Sequence, residues 1–112
     1  MRAQQRACRI WNVGRVSASF VRPVRSTAPV LMISGQEDPA TPPAFGRAAL
    51  KYLPNGRQIV VPHAGHSIES ECIDKLIVTF VNTRDSRDLN PAACVASSKR
   101  PPFALSMKGF AR

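Results

Sequence analysis

Two short stretches of this 112-residue chain concentrate side chains that can orient and move protons. Gly35–Thr41 (GQEDPAT) carries Glu37 and Asp38, and Pro62–His66 (PHAGH) carries His63 and His66. A carboxylate held beside an imidazole fixes the ring's tautomer and stabilises its charged form, while the other ring nitrogen takes a proton from a nucleophile. Asp38 and His66 are expected to be that acid and base. Asp-Pro is also a common turn, which leaves Asp38 a purely conformational alternative, and Glu37 beside it shows that acids in this loop need not serve chemistry. For His66 the alternative is a loop residue capping the next helix. Gly65 before it favours a site, because glycine lets backbone pass close by. His63 is expected to face solvent. A serine nucleophile of the strand-to-helix type needs G-x-S-x-G, and no such segment occurs in the sequence.

Cys8, Cys72 and Cys94 make an odd count. In an oxidising compartment one thiol is left over, or has its partner elsewhere; in a reducing one all three can be simple small apolar residues. A zinc set of His63, His66, Cys72 and Cys94 is not expected. Its H-x-x-H…C spacing matches no common zinc pattern, and Cys72 falls on an apolar helix face.

The elements that must carry these groups alternate. Pro29–Ser34 (PVLMIS) is a short continuous apolar run, as in a parallel strand buried on both faces. Thr41 and Pro42 read as a helix start, a hydroxyl cap followed by proline, and the helix runs to about Leu53. Pro54-Asn55-Gly56 turns the chain into a second strand, Gln58–Val61 (QIVV). From Ser67 to about Asn82, apolar residues recur at helical spacing, with Glu69, Glu71 and Asp74 near the start, where they suit the helix dipole. Residues 83–102 read as loop with a tether at Cys94. Residues 1–28 show no sustained period, although Ile10, Trp11 and Val13 form a small apolar cluster. Trp11 is expected either to pack or to line a substrate lid.

Strand, helix, strand, helix predicts a parallel α/β sheet, with Asp38 and His66 on loops at the carboxyl ends of its strands, where open α/β sheets gather their functional groups. Two strands do not make an independent sheet of this kind, so the chain is expected to be the last portion of a larger domain.

The net charge of +9 raises the alternative of a non-catalytic basic module that binds nucleic acid or an acidic partner. Between Pro29 and Cys94, however, six basic residues face seven acidic ones; the other ten basic residues lie in the flanks. The folded part is near neutral, so nucleic acid is not the expected partner. No apolar run approaches the ~20 residues of a membrane span, and the basic N-terminus has no apolar stretch of a signal peptide.

The segments APVLMISGQEDPATPP and LPNGRQIVVPHAGHS, then Cys72 and Cys94, then RPPFAL, resemble the C-terminal region of tripeptidyl-aminopeptidase-like (TAP-like) α/β-hydrolases, from about Cys8 to Leu105. The resemblance implies that Asp38 is the triad acid and His66 the base, in the chain order Ser, Asp, His. It implies an exported serine peptidase releasing short peptides or residues from N-termini, or acting on related esters and amides, with no cofactor or metal. It also implies a Cys72–Cys94 disulfide, which leaves Cys8 unpaired. On this basis residues 1–28 are a connector or the end of a lid region, 29–95 the C-terminal hydrolase segment, and 96–112 a basic, proline-containing tail in which Phe103 could dock on the body. The nucleophile, the oxyanion-hole loop and most strands would belong to a missing N-terminal half. The chain alone is therefore expected to be inactive, since loss of the nucleophile costs on the order of 10⁶ in turnover.

Overall fold

The structure, a computed structural model, describes residues 2–11 and 14–100. Its centre is a two-stranded parallel sheet of β1 (Val30–Gly35) and β2 (Gly56–Val61), with Val30 opposite Gly56 and Gly35 opposite Val61. Each strand is one or two residues offset from the apolar run that announces it.

Between the strands lies α2 (Pro43–Leu50), which packs on one sheet face. There Gln58 donates to the Ser34 hydroxyl (2.8 Å) and to the Pro43 carbonyl (3.0 Å). The other face meets α3 (Glu71–Thr83) and α4 (Ala92–Ser97). The core forms on this side, from Ile59, Val61, Ile73 and Cys94, with Leu31, Ile33, Ile68 and Leu76 packed against it. Alternation along each strand puts Leu31 and Ile33 on the same face as Ile59 and Val61.

Four features differ from expectation. The strands are half-buried, with only Gly35, Ile59 and Val61 fully covered, because each strand of a two-stranded sheet has one neighbour and one open edge. Thr41 does not cap α2; Pro42 is the cap residue and makes no side-chain bond to the helix. Pro42 and Pro43 have no N–H to give a hydroxyl, and the Phe45 N–H goes to the Pro42 carbonyl. The final long helix starts at Glu71 rather than Ser67, capped by Ser70, whose hydroxyl accepts from the Ile73 N–H. The segment expected to be loop contains α4, whose six residues are too few to show a helical period.

Two additions lie upstream. Helix α1 (Arg2–Ile10) is built from good helix formers, with arginines and small apolar residues each recurring at helical spacing, and its described side chains are exposed. A single 3-10 turn spans Ala18–Val21. Trp11 is 75% exposed, so among the described residues it has little to pack against. Val13 and Phe103 lie outside the described residues.

The carboxyl and amino ends of the sheet are fastened differently. At the amino end, Arg57 Nη1 donates to the carbonyls of Ser86 (2.6 Å), Leu89 (2.8 Å) and Arg87 (3.2 Å), clamping the segment between α3 and α4. Cys72 and Cys94 form a disulfide, with their Cα atoms 5.5 Å apart, joining α4 to the start of α3. Cys8 is exposed and free. Among the described residues, no helix is long and apolar enough to cross a membrane.

Candidate functional site

The two strand-end loops meet because β1 and β2 end in register. The Gln36 N–H bonds the Val61 carbonyl (2.9 Å), and the Glu37 N–H bonds the Ala64 carbonyl (2.9 Å). The crossing is tight at Gly35, where a Cβ would lie 2.0 Å from the Gly65 carbonyl oxygen and 2.4 Å from that of Ala64. Gly35 is therefore the glycine the site requires. At Gly65 a Cβ would meet nothing within 4 Å, so the close approach expected there occurs one loop earlier. His63 takes up a left-handed conformation (φ 57°) that turns the chain after β2, a conformation His tolerates better than most residues.

Asp38 is buried, at 6% exposure, and its carboxylate takes hydrogen bonds from its own loop and from His66. One oxygen, Oδ1, accepts from the N–H groups of Ala40 (2.8 Å) and Thr41 (3.0 Å), closing an Asx-type turn. The other, Oδ2, accepts from the Thr41 hydroxyl (2.6 Å) and lies 3.0 Å from His66 Nδ1. The two alternatives for Asp38, turn former and imidazole partner, are thus both realised, one on each oxygen. The hydroxyl of Thr41 contributes most to holding the Asp38 carboxyl well below the usual carboxylate range; its N–H comes next, and burial opposes them. Contacts from His66 and the Ala40 N–H add to the lowering.

His66 presents Nδ1 to this carboxylate, while its side chain remains 64% exposed. Nδ1 is also 3.2 Å from the Thr41 hydroxyl. No hydrogen bond reaches Nε2 among the described residues. An imidazole held by a carboxylate at one nitrogen and open at the other can accept a proton from a group placed against Nε2.

Thr41 is the participant that sequence reasoning assigned to a different task. The available signal was its spacing, three residues after Asp38, where an Asx-type turn brings hydroxyl and carboxylate together. His63 is exposed, as expected, and its Nδ1 lies 3.6 Å from Glu37 Oε1. Glu37 also pairs with Arg100, outside the Asp38–His66 contact. The Cys72 and Cys94 sulfurs are bonded to each other, so neither is free to be a thiolate ligand. Among the described residues, no group of three or more His, Cys, Asp or Glu side chains is placed to hold a metal.

Comparison with known proteins places the chain in a family. Over 39 residues the chain is 51% identical to the provisionally named non-heme bromoperoxidase BpoC of Mycobacterium tuberculosis, in strains CDC 1551 / Oshkosh and ATCC 25618 / H37Rv. That match takes in 35% of this chain but only 15% of each relative. No solved structure matches the chain at a significant level. Residues 1–94 match the TAP-like protein family, and the chain belongs to that family of α/β-hydrolases.

Proposed function

We propose that this chain supplies the acid and base of a serine peptidase. Asp38 orients His66, and His66 takes the proton from a serine and returns it to the leaving amine. The observation that carries this is the 3.0 Å approach of buried Asp38 Oδ2 to His66 Nδ1, with Nε2 left open. The serine would come from a G-x-S-x-G segment outside these 112 residues, along with the oxyanion-hole donors and further strands to flank β1 and β2. The open edges of the two-stranded sheet support that completion. The substrate class is a peptide with a free N-terminus, or a related ester or amide, as the family resemblance suggests. The Cys72–Cys94 disulfide supports an exported enzyme, since such bonds persist in oxidising compartments.

The test is covalent labelling by a fluorophosphonate probe together with hydrolysis of an aminopeptidase substrate. The chain alone is expected to show neither, and to support both when combined with the nucleophile-bearing segment. Labelling of a serine in the isolated chain would overturn the assignment of the nucleophile to another segment. The alternative, a basic module for nucleic acid or an acidic partner, rests on the flanking arginines and predicts retention on DNA or RNA that falls steeply with salt.

A further inference from the structure

Three polar atoms, Asp38 Oδ2, Thr41 Oγ1 and His66 Nδ1, form a triangle with sides of 2.6, 3.0 and 3.2 Å. Contacts this short between electronegative atoms require hydrogens between them, and the sources are few. The carboxylate is ionised and brings none. The hydroxyl brings one, and the ring nitrogen at most one.

The shortest side, 2.6 Å between Thr41 Oγ1 and Asp38 Oδ2, has the length of a charge-assisted O–H···O⁻ bond, so the hydroxyl hydrogen lies there. The 3.0 Å side then needs a hydrogen on Nδ1, because a bare nitrogen lone pair would face the lone pairs of a carboxylate oxygen. With Nδ1 protonated, the third side is accounted for as well: the Thr41 oxygen, already a donor to Asp38, still has a lone pair turned to Nδ1–H at 3.2 Å. The opposite arrangement, in which the hydroxyl donates to an unprotonated Nδ1, leaves two oxygens 2.6 Å apart with no hydrogen between them.

We propose that Thr41 is a positioning residue for the imidazole: its hydroxyl donates to Asp38 Oδ2 and accepts from His66 Nδ1–H, so one ring proton is shared by two oxygens and the Nε2 lone pair is kept free. This rests on the reading of Asp38 and His66 as acid and base. Thr41 grips both carboxylate oxygens, Oδ1 through its N–H and Oδ2 through its hydroxyl, and so opposes rotation of the carboxylate away from the ring. Its β-branch restricts the hydroxyl to few rotamers. His66 is mostly exposed, so packing contributes little to its orientation, and the second acceptor supplies what burial does not.

The experiment is long-range proton–nitrogen correlation spectroscopy of the ¹⁵N-labelled full chain with its imidazoles neutral. In the wild type and in Thr41→Ser, His66 is expected to show two well-separated ring-nitrogen frequencies, with Nδ1 protonated. In Thr41→Val, which keeps the shape and loses the hydroxyl, the two frequencies should move together as tautomers exchange, with His63 unchanged. Thr41→Ala at this exposed position carries the same test should the valine variant not fold. A wild-type tautomer pattern retained in Thr41→Val or Thr41→Ala would overturn the role of Thr41 and leave the acid–base pair standing. An Nε2–H tautomer in the wild type would instead overturn the pair itself, and with it the role of Thr41.

Discussion

The two strand-end loops do opposite things with their chemistry. In the first, Asp38 is buried, tied at both oxygens and set in a turn that its own carboxylate closes. In the second, His66 is held at one nitrogen only and lies largely in solvent. The turn around Asp38 is closed by residues within three positions of it, so local sequence suffices to set that turn. The second depends on what lies opposite it: the acid loop on one side and, in our proposal, a serine on the other. An acid can thus be preorganised by a short peptide segment, whereas a base is finished only by the group whose proton it takes.

The largest test of this contrast is Asp38→Asn in the assembled hydrolase. It keeps the turn's shape but supplies an amide where His66 needs a carboxylate, and should lower turnover by about 10⁴-fold, measured on a peptide substrate with a free N-terminus. A loss below tenfold would show that the buried acid is a turn former only.

The next test acts on the support beneath the base loop. Helix α4 reaches that loop through the Ser98 hydroxyl, which donates to the Pro62 carbonyl, and the Cys72–Cys94 bond holds α4 in place. Removing the bond by Cys94→Ser frees a cross-link with a sequence separation of 22 and should cost about 3 kcal/mol, a fall in Tm on the order of 10–20 °C by calorimetry.

Gly35→Ala strikes the crossing between the loops. The added methyl would lie within 2.4 Å of two carbonyl oxygens, so the loops must part, at about 1–3 kcal/mol. Chemical denaturation measures the cost, and loss of the protonated Nδ1 signal would report that His66 has moved from Asp38.

The smallest effect is on acid stability. The carboxyls of Asp38 and Asp85 are both more acidic folded than unfolded, Asp85 at about 2 through its bonds to Arg87. Each then contributes stability that is complete above its ordinary value of 3.8 and is lost as pH falls, through about 2 for Asp85 and lower for Asp38. Melting temperatures followed downward from pH 4 should decline gradually, and Asp38→Asn should remove the part of the decline at the lowest pH.

Much of this was legible in the residues themselves. The apolar runs around Leu31 and Ile59 announced the strands, and glycine and proline marked their ends, because backbone preferences act locally. Asp38 and His66 could be paired because strand-end loops of a parallel sheet share an edge. What was not legible depended on competition for hydrogen bonds. Thr41 looked like a helix cap, but the cap position falls on Pro42 and the Thr41 hydroxyl is taken by Asp38. Gly35 and Gly65 look alike in sequence, and only the crossing of two loops distinguishes the one that cannot carry a side chain. Helix α1 has a period carried by charge, Arg2, Arg6 and Arg9 at helical spacing, and only the small residues Ala3 and Ala7 with Ile10 on its apolar side, so a search for a buried apolar face passes over it.

The bond between Cys72 and Cys94 has a consequence for how the chain survives damage. The intervening stretch includes the exposed arginines Arg84 and Arg87, side chains that a trypsin-like protease recognises. A single cut there would leave two polypeptides joined by sulfur, with Asp38, His66 and the cap of α3 all on the same piece and α4 still fastened to it. The nicked protein would run as one species until a reductant separated it into two.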